Sequence, residues 1–482
     1  MTALDRPRSP EQTRYRPGTV LAFVSAAQFM VFLAVSGVNL ALPSIQTDLG
    51  MSDVSLGYIV TAYATVLGGF LLLGGRLADR SGRRRVLQAG FWIFAAASIG
   101  AGFAPDGATL IAARAVQGLG AALIAPAALA ILTNAFPEGP ERNKALGVWG
   151  SLAGIASIVG VIVGGALTDG PGWAWLFWLN APVGIAAAVL APRLVPESRA
   201  EGARVRFDSA GAATLTAGLL LLIFVLGEAT RWGWSDARTI GGLAGAAVLL
   251  AAFVAIEARA AAPIMPLRVF RLGTMRTANL AAVLVFGCFT AMFFFVAVFM
   301  QKVYGYSPME AGFAYVPLAV MVGAGAGIAS GMTARFSART ILAAGLATTT
   351  AGLLLMWRAP VGGTYWTDLL PAFLLLGLGC GLCYVTLQIA AFTGLDDADA
   401  GLGAGLINTS QEAGGALGLA VIATIAYNGM TDELADATGT AGILAVQAQA
   451  GHDAFLTAAG FCIAALAIAL AFMPKPDHTA RT

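Results

Sequence analysis

Residues 75–85 read Gly75-Arg76-Leu77-Ala78-Asp79-Arg80-Ser81-Gly82-Arg83-Arg84-Arg85, five arginines and one aspartate in eleven positions. The chain of 482 residues is only 11% charged, so this is a concentrated basic loop. Apolar runs flank it, Val54 to Gly74 and Val86 to Ala104, and each is long enough to cross a bilayer as a helix. A short loop this basic is expected on the cytoplasmic side of a membrane. Gly75 and Gly82 permit a tight turn and close helix approach, and Asp79 can lock onto neighbouring arginines or a helix N-terminus.

At 58% hydrophobic, with a mean hydropathy of +0.78, the chain lies outside the soluble globular class. Its net charge of +2 comes from charges crowded into loops and gives no footing for a nucleic-acid partner; none is expected. All four cysteines fall inside apolar runs, so no disulfide framework is expected. Cys380 and Cys383 form a C-x-x-C with no second pair or histidine nearby in sequence, which reads as helix packing rather than a metal site. His452 and His478 lie in polar segments, leaving no histidine for a relay within the membrane. No cofactor is implied. The polar, basic stretch from Met1 to Pro17 reads as disordered. The apolar run behind it is too long for a signal sequence, so no cleavage is expected.

Hydrophobic patterning predicts an all-α membrane protein of fourteen helical spans. They begin near Thr19, Val54, Val86, Ala108, Lys144 and Trp173; then Ala210 and Thr239; then Thr277, Ala311, Thr340, Asp368, Gly401 and Ala454. An even count puts both termini on one side. Of 28 lysines and arginines, 23 fall in the loops and tails on that side, 4 on the other (Arg231, Arg238, Lys302, Arg358), and Arg114 inside a span. Both termini are therefore expected in the cytoplasm. One inner loop runs against the trend: Asp396, Asp397 and Asp399 have no basic neighbour in sequence. The stretch Gly331 to Arg339 looks like a worn copy of the Gly75 loop, at the same place in the last six spans, with Arg335 where Asp79 stands. Two six-helix halves related by repeat are a common transporter plan. The expected organisation is an N-tail (1–18), a first six-helix bundle (19–192), linkers with two additional helices (193–276), a second six-helix bundle (277–473) and a C-tail (474–482).

The pattern G-x-L-a-D-r-x-G-r-r closely resembles the loop between spans two and three of major facilitator superfamily transporters. Further matches follow in order: Asn39 to Ile45 ending the first span, Arg114-Ala-Val-Gln117-Gly118 in the fourth, and Gly160 to Gly165 in the fifth. Trp173 to Pro182 opens the sixth, and Asn408-Thr-Ser-Gln-Glu412-Ala-Gly-Gly lies in the thirteenth. Together they resemble the fourteen-span drug:proton antiporters of that superfamily, over nearly the whole chain. The chain also departs from the pattern. Ala34 stands where members usually carry a first-span acid, Val161 replaces a fifth-span proline, and Ala174 interrupts a W-R-W motif. These departures bear on coupling and substrate more than on fold.

Only Arg114 and Glu412 are charged residues well inside predicted spans. A charge at the bilayer centre costs about 2.5–3.5 kcal/mol on insertion scales, so each needs a reason. Glu412 lies about 16 Å into its helix. It reads either as a proton-binding carboxylate or as one held permanently by Asn408, Gln411 or another helix. Arg114 lies about 9 Å in, where an arginine can snorkel; the resemblance, with Gln117 and Gly118 in place, implies a coupling role. Conformational gating is assigned to Gly75, Asp79, Arg80, Gly82, Arg83, Gly160, Gly164 and Gly165, although Gly160 and Gly164 suit plain helix packing equally well. Asn39, Gln117, Gln388 and Asn408 are candidate substrate contacts or interhelical hydrogen bonds. Phe289 and Phe293 are candidates from a ninth-span set of rings that also suits lipid and helix packing. The glycine run at Gly377, Gly379 and Gly381 follows no strand and reads as no nucleotide loop.

The expected function is a monomeric, proton-driven exporter of small amphipathic drugs or antibiotics in the inner or plasma membrane. With no nucleotide-binding domain, the proton gradient is the energy source. A metabolite facilitator or symporter is the rival that Ala34 favours. A membrane sensor or enzyme is weaker, because no span carries a nucleophile with a base, a metal cluster or a haem-ligand pair.

Overall fold

The computed structural model describes residues 15–199, 208–260, 263, 265, 267–333, 335–396, 399–427, 430, 433 and 439–473. Residues 1–14 and 474–482 of the expected tails, and Asp397, lie outside the described residues, as do the side chains of Asn39 and Val161. Among the described residues the regular structure is helical. The first group is α1 (Pro17–Leu49), α2 (Asp53–Ser81), α3 (Arg83–Gly102), α4 (Gly107–Ala135), α5 (Pro140–Asp169) and α6 (Ala174–Leu194). Then come α7 (Ser209–Trp232) and α8 (Ala237–Glu257). The last group is α9 (Gly273–Lys302), the short α10 (Pro308–Ala314), α11 (Val316–Met332), α12 (Ala338–Trp357), α13 (Leu370–Phe392), α14 (Ala400–Tyr427) and α15 (Gly439–Phe472).

Local chemistry sets these boundaries. Ser52, Asp106, Asp208, Asp236 and Ser337 cap helix starts by accepting a backbone N–H just inside the helix. Ser307 and Glu310 form a reciprocal capping box. The span expected near Ala311 is broken at Tyr315, just before Pro317, into α10 and α11. The last helix begins at Gly439, well before Ala454. Its early residues, Gly439 to Asp453, mix small and apolar types with a few polar ones that a helix accommodates, and Gln449 Nε2 donates to Asp453 Oδ1 at 2.9 Å, one turn on. His452, expected in a polar segment, therefore sits within α15, with Nε2 2.9 Å from the Ala359 carbonyl oxygen.

Eleven helices among the described residues are long and apolar enough to cross a membrane. The helices α3, α5 and α14 fall outside that apolar set, yet they pack as integral members of the bundle. In the first group α1 packs on α5, α2 on α4, α4 on α3, and α3 on α6. The same relations recur in the last group: α9 on α14, α11 on α13, α13 on α12, and α12 on α15. The two groups meet along α2–α14 and α5–α11. The α7–α8 hairpin lies outside that repeat, with α7 against α2 and α14.

In lipid there is little hydrophobic gain from bringing two apolar helices together, so close backbone packing at small residues holds them. A Cβ added to Gly164 would lie 3.0 Å from Gly37 Cα and from its carbonyl oxygen, where α5 crosses α1. The matching crossing, α9 on α14, is made the same way: a Cβ on Gly287 would lie 3.0 Å from Gly418 Cα and from the Gly414 carbonyl oxygen. Gly160 faces Gly37 in the α1–α5 crossing, and Gly165 is buried beside it. This geometry supplies the packing explanation for Gly160 and Gly164.

Overpacking a tight seam costs about 1–3 kcal/mol. Gly164→Leu should therefore lower the thermal unfolding midpoint of the detergent-purified protein by several degrees. Differential scanning fluorimetry measures this, and an unchanged midpoint would show that α1 and α5 can part freely.

Candidate functional site

Two groups of polar residues interrupt the apolar interior. The first lies between α2, α4 and α14. Gly118 brings the backbones of α4 and α2 together; a Cβ there would meet the Tyr63 carbonyl oxygen at 2.5 Å. One turn away, the Arg114 guanidinium stands 4.2 Å from the centre of the Tyr63 ring, a cation–π distance. Arg114 is 1% exposed and has no carboxylate partner among the described residues. Its Nε donates to the Ile59 carbonyl oxygen (3.2 Å), and one terminal nitrogen donates to Gln117 Oε1 (2.5 Å) and the Ala34 carbonyl oxygen (3.5 Å). Gln117 Nε2 in turn donates to Ser98 Oγ at 2.8 Å. Both ends of the Gln117 amide are thus committed to positioning Arg114. The arginine is enclosed rather than snorkelling, with backbone carbonyls, one amide and a ring face doing the work of water.

Glu412 projects from the middle of α14, where a Cβ on Gly68 of α2 would lie 3.4 Å from its own Cβ. It is half-buried and makes no ion pair among the described residues. Asn408 Nδ2 and Gln411 Nε2 are buried without hydrogen-bond partners, so neither amide donor clamps the carboxylate. Tyr63 and Tyr384 both lie within electrostatic reach of it. Gln388 is fully buried on α13, next to Tyr384 one turn back. The hydroxyls of Ser25, Tyr63, Thr65 and Thr409 are also buried and unpartnered. Unmatched buried polar atoms are uncommon, and their concentration on α1, α2, α13 and α14 marks the interior face able to receive a polar solute or water. Phe289 is buried on α9, its ring 5.8 Å from that of Phe286, which lies 5.7 Å from Tyr384. Phe293 is 37% exposed and packs on Tyr315, 6.0 Å between ring centres.

The second group closes the end of the bundle where α2 turns into α3. Asp79 is 1% exposed. Its carboxylate accepts Arg83 Nε and Nη2 (3.0 and 2.6 Å) and the backbone N–H groups of Gly401 and Leu402, both at 2.9 Å. It therefore caps α14, from the other helix group, at the positive end of its dipole. Only glycine fits the approach: a Cβ on Gly75 would collide with the Gly401 carbonyl oxygen, and one on Gly401 with the Asp79 carboxylate. Gly82 makes the turn at φ 107°, with Glu197 accepting from Arg84 N at 3.1 Å and facing Arg84 and Arg85. Arg80 is half-buried in the last turn of α2.

The acidic loop without basic neighbours in sequence finds them in space, since Asp399 pairs with Arg76 at 3.3 Å and Arg268 at 3.2 Å. At the α5–α11 seam the corresponding link is neutral: Asn143 Nδ2 donates to Thr333 Oγ1 at 2.9 Å. The thiols also gather more than their spacing suggested. Cys288 and Cys462 are 3.3 Å apart, within electrostatic reach of Cys380 and Cys383, so the C-x-x-C does have a second pair nearby. Even so, no three His, Cys, Asp or Glu among the described residues are placed to hold a metal.

A helical bundle with a polar interior face and one end closed by buried charge is the architecture of a multi-pass membrane protein. The chain belongs to the Major Facilitator Superfamily, whose family profile matches residues 24–419. It is 38% identical to a puromycin resistance protein of Streptomyces alboniger, over 86% of this chain and 83% of that protein. It is 37% identical to a cephamycin export protein of Amycolatopsis lactamdurans, over 92% and 90%. A tetracenomycin C resistance and export protein of Streptomyces glaucescens is 34% identical, over 88% and 78%. The crystal structure of a human organic anion transporter superposes with a TM-score of 0.64 at 16% identity, covering 96% of this chain and all of that one, a likeness of fold.

Removing one partner of a buried ion pair costs about 3–5 kcal/mol. Asp79→Asn should therefore loosen the α2–α14 closure, slowing transport turnover about tenfold or more while leaving equilibrium affinity within about twofold. Turnover and affinity measured side by side check this; a large loss of affinity with normal turnover would place Asp79 with the substrate instead.

Proposed function

We propose that this transporter exports small amphipathic molecules of the antibiotic kind named for its relatives, in exchange for protons and by alternating access. In this reading the chain works as a monomer of fourteen spans in the plasma membrane. Residues 19–192 and 277–473 form two halves, and 193–276 carry the additional hairpin. Both termini and the Asp79 cluster face the cytoplasm, so the closed end is the inner one.

The observation that carries the proposal is Glu412. It is a half-buried carboxylate, unpaired among the described residues, at mid-helix on the seam between the helix groups. Such an acid can hold a proton when its surroundings are dry and release it when they are wet. Arg114, fixed in the other group, supplies a charge that does not titrate in the working range. Protonation of Glu412 then switches the interior between a neutral pair and a net cation, a change in charge that exchange of substrate for proton requires. Asn39, Gln388, Asn408, Phe289 and Phe293 are the proposed substrate contacts. Gln117 serves through Arg114, and Gly165 and Arg80 belong to the moving seams.

The metabolite facilitator or symporter has one observation in its favour: Arg114 meets the backbone carbonyl of Ala34 rather than an acid. Within the antiporter reading, the same vacancy of charge sets substrate preference. With no first-span carboxylate, the interior offers one fixed cation and one acid that must also carry protons. Neutral, zwitterionic or weakly acidic substrates are therefore favoured over dications.

In proteoliposomes with an imposed proton gradient, Glu412→Gln should fold and bind substrate but lose gradient-driven export; full transport by that variant would sink the proposal. Competition uptake with matched neutral and dicationic ligands should favour the neutral member, and Ala34→Asp should narrow or reverse that preference. A native preference for dications would remove Ala34 as a selectivity determinant.

A further inference from the structure

Tyr63 stands between the two interior charges. Its ring face lies against the Arg114 guanidinium at 4.2 Å, and its hydroxyl is buried with no hydrogen-bond partner. Arg114 comes to Tyr63 from α4, and Glu412 comes to the same helix from α14 at Gly68, where an added Cβ would lie 3.4 Å from the Glu412 Cβ. Gly118 holds the α2 backbone against α4, so the ring cannot drift from the arginine. A tyrosine buried this completely usually finds a partner for its O–H. Here the potential partner is a carboxylate on a helix of the other group, which must move relative to α2 in any rocking cycle.

We infer that Tyr63 is a positioning residue for proton exchange, its hydroxyl donating to ionised Glu412 and releasing it when Glu412 takes up a proton. Tyrosine keeps its own proton throughout. What changes is one hydrogen bond across the α2–α14 seam, made in the ionised state and broken in the protonated one. Because the same ring carries Arg114, making that bond also aligns the fixed cation with the carboxylate. This role rests on Glu412 being the proton carrier.

The other charged groups packed around these helices are engaged elsewhere. On α7, Glu228 and Arg231 pair at 3.0 Å, and Arg231 reaches α2 at Tyr58, not Tyr63. On α1, Asp48 accepts from Trp173 Nε1 at 2.9 Å. The arginine of α3 closest to α2, Arg83, is bound to Asp79 at the far turn. Against α14, α9 carries Arg276 and Lys302 only near its ends. On α15, His452 meets Ala359 and Asp453 meets Gln449. Tyr384, on α13, is the second hydroxyl facing Glu412.

The test is a pH titration of the full-length protein in lipid, followed by infrared difference spectroscopy of the protonated carboxyl band. No transported ligand is needed. The unmodified protein should show a titrating band that Glu412→Gln removes. Tyr63→Phe keeps the ring and the arginine contact but loses the donor. It should move the titration midpoint to higher pH by about one unit, a tenfold change in proton affinity, and shift the band frequency. Tyr384→Phe serves as the control and should move the midpoint less. If Tyr63→Phe leaves midpoint and frequency unchanged while Glu412→Gln abolishes the band, the role of Tyr63 is overturned and the proton carrier stands. If the band survives Glu412→Gln, the proton-carrier reading itself fails. Native-like thermal stability of Tyr63→Phe would confirm that a shifted midpoint is electrostatic and not a consequence of misfolding.

Discussion

The carboxylate of Asp79 does two jobs in one place: it neutralises Arg83 and it terminates a helix belonging to the other group. Four hydrogen bonds converge on it, two from the guanidinium and two from the first amides of α14. Burying a carboxylate this deeply is tolerable only with its acceptor sites filled. The glycines at 75 and 401 follow from that requirement, because any side chain at either position would hold the two backbones apart. The basic loop, the glycine pair and the bare start of α14 are therefore one device. The apolar helices supply the mass of the bundle, while this contact fixes which faces of the two groups meet.

The interior follows a complementary economy. Where α1 meets α5 the helices approach at glycine, and where α9 meets α14 the glycine contact is joined by a hydrogen bond from Ser410 Oγ to Asn279 Oδ1 at 2.8 Å. Several buried polar atoms on α1, α2, α13 and α14 are left without partners. Arg114, with its three hydrogen bonds, contrasts with Glu412, which is unpaired among the described residues. In the proposed exchange cycle, a fixed cation and an acid unpaired among the described residues would form a switchable pair, whereas a permanent salt bridge would tie the two groups together.

Much of this was legible from residue order. The Gly75–Arg85 loop between two apolar runs located α2 and α3, and the sequence placed Arg114 and Glu412 as the interior charges. Two kinds of feature were silent. Helix starts shifted wherever polar residues join a helix, as Gln449 and Asp453 do in α15, because polarity alone does not distinguish a loop from an exposed turn. Contacts between distant segments were also hidden. Asp399 seemed bereft of counter-charge until folding brought Arg76 and Arg268 to it. Tyr63 gave no signal because a tyrosine sits comfortably in an apolar run; only the approach of Gly118 and the stacking of Arg114 single it out.

The α7–α8 hairpin makes the two seams mechanically unequal. At its tip, Arg231 Nη2 donates to the Tyr58 hydroxyl of α2 at 3.1 Å, and Trp234 Nε1 donates to Thr424 Oγ1 of α14 at 2.6 Å. Beyond α8, Arg268 grips Asp399 at the opposite end of α14. One inserted segment thus staples the α2–α14 seam at both ends, while among the described residues the hairpin makes no such hydrogen bond to the α5–α11 seam. A rocking motion about the middle of the molecule would strain the stapled side first. Under the proposed alternating access, the bundle would work like a door with a sprung hinge on one edge and a plain latch on the other.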